Sequence, residues 1–150
     1  MRNAEKLDIR FELLIKAKPA TVWRLLTEPA QIIRWSYMAT VTVDRLAPGG
    51  TFVFGSPTDK GGPDTGRIVR VEMGKRLTYW WKSSEPEETL VEYALKPEGH
   101  YTRLIFRNRG FAEGGPWADF YERDFTGWLE MHVVMKRLAE RRPAKAGGRT

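Results

Sequence analysis

Residues 116–142 read PWADFYERDFTGWLEMHVVMKRLAERR, and apolar or aromatic side chains recur in them at Trp117, Phe120, Tyr121, Phe125, Trp128, Met131, Met135 and Leu138. Spacings of three and four residues lay these side chains along one stripe of a single helix. Pro116 suits a first helical position, because the N–H it lacks would find no intrahelical acceptor there. Asp119 and Glu122 fall in the first turns and Lys136, Arg137, Arg141 and Arg142 in the last, the distribution that the helix dipole favours. About 26 residues at about 1.5 Å rise make a rod of roughly 39 Å. An apolar stripe of that length needs a large sheet to cover it.

The sheet is expected upstream. Between Leu7 and Lys16 the residues Ile9, Phe11, Leu13 and Ile15 alternate with Asp8, Arg10 and Glu12, the pattern of a half-buried strand. Pro19 then opens PATVWRLLT and Pro29 opens PAQIIRW, two short amphipathic helices in tandem. After Ser36 a period of two takes over, with strands expected at 39–46, 51–55, 66–72, 76–82, 89–96 and 101–108. Turn chemistry separates them at Pro48-Gly49-Gly50, Met73-Gly74-Lys75 and Pro97-Glu98-Gly99-His100. Ile68 and Val69/Val71 point opposite ways in a regular strand, so a bulge is expected there. The Gly/Pro-rich links 56–65 and 109–115 read as loops of the kind that gate or line a site.

These elements give an α+β fold: a curved seven-stranded antiparallel sheet wrapped around a long C-terminal helix, with two short helices after the first strand, in the order β-α-α-β6-α. Alternation assigns Phe11, Leu13, Phe52, Phe54, Leu77, Tyr79, Trp81, Tyr93, Leu95, Leu104 and Phe106 to the covered face. Trp80 then falls on the outer face, where an exposed tryptophan would mark a contact with a partner or a second subunit.

A chain of 150 residues fits one domain, here 1–142, followed by a basic tail, 143–150, expected to be disordered. It contains no cysteine, which excludes disulfides and thiolate catalysis. No run has signal-peptide or membrane-span character, which points to a cytoplasmic protein without membrane insertion. The net charge of +6 is concentrated in residues 136–150, which carry +5. No aromatic platform or recognition motif accompanies that basicity, so nucleic acid is not the expected partner. Phosphate-cradle, nucleophile-elbow and H-E-x-x-H motifs are absent, and no cofactor is implied. Of two histidines, His100 sits on a hairpin turn, so a metal site is not expected. No catalytic constellation stands out, which favours a binding protein over an enzyme.

Pro19-x-x-Val22-Trp23-x-x-Leu26-Thr27-x-Pro29, then Trp35, Gly66-x-Ile68, Arg76-Leu77-x-Tyr79-x-Trp81 and Gly127-Trp128 resemble the stand-alone bacterial proteins similar to the activator of Hsp90 ATPase. Those belong to the helix-grip superfamily of START-like, Bet v 1-like and polyketide-cyclase-like domains, and the resemblance runs from Ile9 to about Leu138. It implies a cavity between sheet and helix that accepts a small apolar or amphipathic molecule. The candidate lining is Trp35, Phe52, Phe54, Tyr79, Trp81, Tyr93, Phe106, Asp124, Trp128, Met131, His132 and Met135. Two alternatives follow from the same resemblance: a co-chaperone-like stimulator of an Hsp90-type ATPase, and a cyclase- or hydrolase-type enzyme using the cavity. In relatives a leucine usually stands where this chain has His132, and Met135 replaces another. His132 is therefore the single candidate base, with a core histidine as the plain reading. Asp124 is expected at the lip of the groove or bonded to the 109–115 link, roughly 12 Å along the helix from His132. Monomer and homodimer are both compatible with the sequence.

Overall fold

Every stretch of period-two alternation forms a strand in the computed structural model, which describes residues 6–58, 62–112 and 117–141. In chain order the elements are β1 (Lys6–Ile15), α1 (Pro19–Thr27), α2 (Pro29–Trp35), β2 (Thr40–Val43), β3 (Thr51–Gly55), β4 (Asp64–Glu72), β5 (Arg76–Lys82), β6 (Thr89–Glu98), β7 (Tyr101–Ala112) and α3 (Trp117–Glu140). The strands form one antiparallel sheet in the order β1-β7-β6-β5-β4-β3-β2. Six strands thus follow one another as a meander, and β1 pairs at the far edge with β7. Pro116, Arg142 and the basic tail lie outside the described residues.

Local chemistry sets the boundaries. Pro19 and Pro29 start their helices without a side-chain cap, and Glu28 serves both, ending α1 through its N–H on the Arg24 carbonyl and preceding α2. β2 is shorter than the expected 39–46 because the Asp44 carboxylate accepts the N–H groups of Arg45 (2.8 Å) and Thr51 (2.7 Å), folding the chain back at that point. The bulge expected in β4 is present: the register slips between Ile68 and Arg70, and Val69 is turned outward.

The link expected at 109–115 is the main correction. Residues 109–112 continue β7, with Asp8 opposite Arg109 and Leu7 opposite Phe111, so that Gly110 is an extra residue in the ladder. Its φ of 111° lies in the left-handed region that glycine tolerates, which lets the strand bulge and go on rather than end. Phe111 is consequently fully buried and packs edge-on against Trp117 and Tyr121 of α3. The 56–65 link is shorter than expected too, since Asp64 and Thr65 already belong to β4, while residues 59–61 lie outside the described residues.

The concave face carries the core. Phe52, Phe54, Leu77, Tyr79, Trp81, Tyr93, Leu95, Leu104 and Phe106 are buried there as alternation requires, while Phe11 and Leu13 are partly covered. α3 lies across this face and also meets α1 and α2. Trp80 is on the outer face but half-buried, because Arg67 and Leu90 flank it on the neighbouring strands. No described helix is long and apolar enough to cross a membrane.

Candidate functional site

Strands β3, β5 and β6 of the sheet and two helices bring aromatic rings to one place. β3 presents Phe52 and Phe54, β5 presents Tyr79 and Trp81, and β6 presents Tyr93, each pair two residues apart on one face. α2 adds Trp35, and α3 adds Trp128 and Met131. Ring centroids lie 5.2 Å apart for Phe54 and Trp81 and 5.3 Å apart for Trp81 and Trp128. Gly66 makes the arrangement possible, since a Cβ there would come within 2.8 Å of the Tyr79 ring.

The rings enclose a small apolar cavity of about 60 Å³. Of the expected lining, Trp35, Phe52, Phe54, Tyr79, Trp81, Tyr93, Trp128 and Met131 border it, together with Leu26, Ile32, Ser36 and Met38 from the two short helices and the segment after them. The polar edges of two of its indoles face protein: Trp35 Nε1 donates to the Leu25 carbonyl (2.7 Å), and Trp128 Nε1 donates to Asn108 Oδ1 (3.1 Å). Asn108 is held in turn by its Nδ2 on Thr89 Oγ1 at 2.8 Å. With these N–H groups used, the two indoles offer the cavity hydrocarbon.

Phe106, His132 and Met135 do not border the cavity; they are fully buried behind its wall. His132 Nδ1 lies 2.6 Å from the Trp128 carbonyl oxygen and Nε2 lies 2.8 Å from the Tyr93 hydroxyl. A carbonyl can only accept, so Nδ1 carries the hydrogen and Nε2 accepts from Tyr93. The Tyr93 oxygen can then accept from Tyr79. Burial pushes the pKa of both tyrosines up and lowers that of His132 to about 4, the bond to Trp128 opposing only part of the latter shift. The imidazole is therefore neutral at ordinary pH. Both nitrogens are engaged, so the ring holds Tyr93 in place and has no free base for a ligand.

Outside the cavity lies a second chamber of about 350 Å³ that shares Met38, Trp81, Trp128 and Met131 with it and has a polar rim. Asp124 is found on this rim; residues 113–115 of the link to which it was alternatively expected to bond lie outside the described residues. Its Oδ1 accepts from Arg123 Nε (3.0 Å) and Nη2 (2.9 Å). Asp64 of β4 bonds to Ser83, and burial raises its pKa. Glu85, from the segment between β5 and β6, is only 4% exposed, with Oε2 at 3.5 Å from Arg123 Nη2. Burial first, then the neighbouring Asp124 carboxyl, push its pKa up to about 8. Sequence reading missed Glu85, because SSEPEE (83–88) has the composition of a solvated turn. Among the described residues no group of three or more His, Cys, Asp or Glu is arranged to hold a metal ion.

A curved seven-stranded sheet gripping a C-terminal helix over an apolar cavity defines a helix-grip domain, the fold class expected from the sequence. Residues 16–140 match the family described as "Activator of Hsp90 ATPase homolog 1-like protein", and the chain belongs to that family. No curated protein matches it. Among solved structures it is similar to the Aha1 dimer from Colwellia psychrerythraea, at 18% identity and a TM-score of 0.74 over 89% of this chain and 96% of that one. It is also similar to protein MLL2253 from Mesorhizobium loti, at 24% identity and a TM-score of 0.76 over 91% and 99% of the two chains. Protein NE0264 from Nitrosomonas europaea resembles it at 25% identity, with a TM-score of 0.72 over 88% and 93%.

Proposed function

We propose that the protein binds a small apolar or amphipathic molecule between the sheet and α3. The observation that carries this reading is the aromatic cavity itself, bordered by Trp35, Phe54, Trp81 and Trp128 and adjoining a wider chamber with a polar rim. The cavity at about 60 Å³ admits only one end of such a molecule, and the chamber of about 350 Å³ receives the rest. Ligand sites commonly measure about 300–1,000 Å³, so the chamber is of the right order. Met38 and Met131 stand in the wall shared by the two spaces, and unbranched methionine side chains yield readily. Each methylene moved out of water contributes about 0.8 kcal/mol to binding. Native mass spectrometry of the freshly purified protein, followed by extraction, tests the reading. A reproducible bound small molecule is expected; protein that is repeatedly empty and gives no tryptophan fluorescence change with straight-chain alcohols would contradict it.

The family description and the similarity to a structure named Aha1 support a second reading, stimulation of an Hsp90-type ATPase. An ATPase assay with the host chaperone decides it: stimulation supports this reading and a flat rate removes it. A cyclase- or hydrolase-type reaction in the cavity draws no support from His132, whose ring nitrogens are both bonded. A homodimer is compatible with the fold, given that the Colwellia psychrerythraea neighbour is described as a dimer.

A further inference from the structure

Two carboxyl oxygens on the rim of the outer chamber, Glu85 Oε1 and Asp124 Oδ2, are buried and are matched by no donor among the described residues other than the hydrogen bond the two carboxyl groups make with each other. The Glu85 side chain is 2% exposed and that of Asp124 10%. Buried acceptors without donors are costly, by about 1–3 kcal/mol or more for charged groups. Two sources can satisfy them. A proton carried by Glu85 can be shared with Asp124, or a donor can arrive from outside.

We propose that the chamber takes the head of a cationic amphiphile, a primary ammonium on an apolar body, which bonds to Glu85 and Asp124 while its apolar end enters the aromatic cavity. The inference rests on the cavity reading above. An ammonium supplies three donors and a positive charge, matching a pair of adjacent carboxylates better than any neutral head. Asp64 from β4, Ser83 and Ser84 beside it, Tyr37 from the segment after α2, and Arg123 from α3 complete the rim. Three carboxyl groups there face a single guanidinium, whose reach to Glu85 is a long 3.5 Å. Trp81 and Trp128 form the inner wall, and aromatic faces also attract cations.

Binding then displaces a proton. The ammonium keeps its own three hydrogens, Glu85 loses its proton to water, and the new ion pair replaces the shared acid–acid bond. Affinity for the ammonium accordingly rises with pH as the Glu85 proton becomes easier to remove.

Titration calorimetry with n-octylamine, 1-octanol and octanoate at monomeric concentrations, in buffers of unlike ionisation enthalpy, reads all of this. Across a range from about pH 6 to about pH 9, octylammonium is expected to bind about tenfold or more tighter than octanol toward the upper end, with proton release at the lower end that fades as the pH passes about 8, where Glu85 is already ionised in the free protein. In Glu85→Gln and Asp124→Asn that preference collapses and the proton release disappears. If either variant fails to fold, the pH dependence and proton release of the native protein still decide. Equal binding of amine and alcohol at every pH would overturn the ammonium site and leave the cavity reading standing. Preference for octanoate would also overturn it, with Arg123 as the recognising group. Binding of none of the three would remove both readings.

Discussion

His132 fills the space between Trp35, Phe11 and Phe106, with ring centroids at 4.9, 5.5 and 4.9 Å, and gives Tyr93 an acceptor. Replacing it by leucine keeps the volume class but leaves the Tyr93 hydroxyl buried without its acceptor, at a cost of about 1–3 kcal/mol. The double variant His132→Leu with Tyr93→Phe is expected to recover most of that loss, a coupling that urea denaturation of the four proteins in the cycle would measure. Titration carries a second signature. His132 is held near pKa 4 in the folded chain against an ordinary 6.5, so its contribution is present above the ordinary value and is lost as pH falls toward the folded one. A shift of that size corresponds to roughly 3 kcal/mol. Glu85 runs the other way: its folded pKa of about 8 lies above the ordinary 4.5, so its contribution is present at low pH and is lost as pH rises between those values. Stability measured across pH should therefore show a shallower acid limb in His132→Leu and a shallower decline between about pH 4.5 and about pH 8 in Glu85→Gln. A profile unchanged in both variants would contradict the two assignments.

At the level of elements, glycines distinguish close contact from open space. Gly66→Ala drives a methyl into the Tyr79 ring, an overpacking worth about 1–3 kcal/mol. Gly127→Ala, on α3 at the edge of the chamber, meets nothing within 4 Å and should be close to neutral or slightly stabilising. Thermal unfolding of the two variants should rank them in that order; equal effects would show that Tyr79 is not seated on β4 as described. The α3 stripe, the strand alternation and the β4 bulge could all be read from the sequence, because burial on one face imposes a period that survives in the residue pattern. The extent of β7 could not. Arg109-Gly110 reads as a turn, and only pairing with β1 across most of the chain makes Gly110 a bulge within a strand. Glu85 was hidden for a related reason: an acid among acids and serines looks solvated until α3 folds over it. Beyond Trp35, the lining from the two short helices and the segment after them (Leu26, Ile32, Ser36 and Met38) was missed because such short helices carry too short a pattern to tell core from lining.

Over the whole molecule, the sheet supplies a concave aromatic surface that α3 covers without filling it completely. The void has an apolar interior, a rim of carboxyl groups, and methionines in the wall between cavity and chamber. Those features are what supports the proposed binding of a small apolar or amphipathic molecule. Cavity filling offers a check at this scale: Met131→Phe should weaken binding of any straight-chain ligand by about tenfold or more, by occupying the shared wall, with little change in urea midpoint. The most direct measurement is calorimetric titration of 1-octanol into the native protein at several temperatures. Saturable binding of one molecule per chain with a negative heat-capacity change is the predicted result, because that change marks apolar surface leaving water. No saturable heat at any temperature would contradict a ligand-binding cavity.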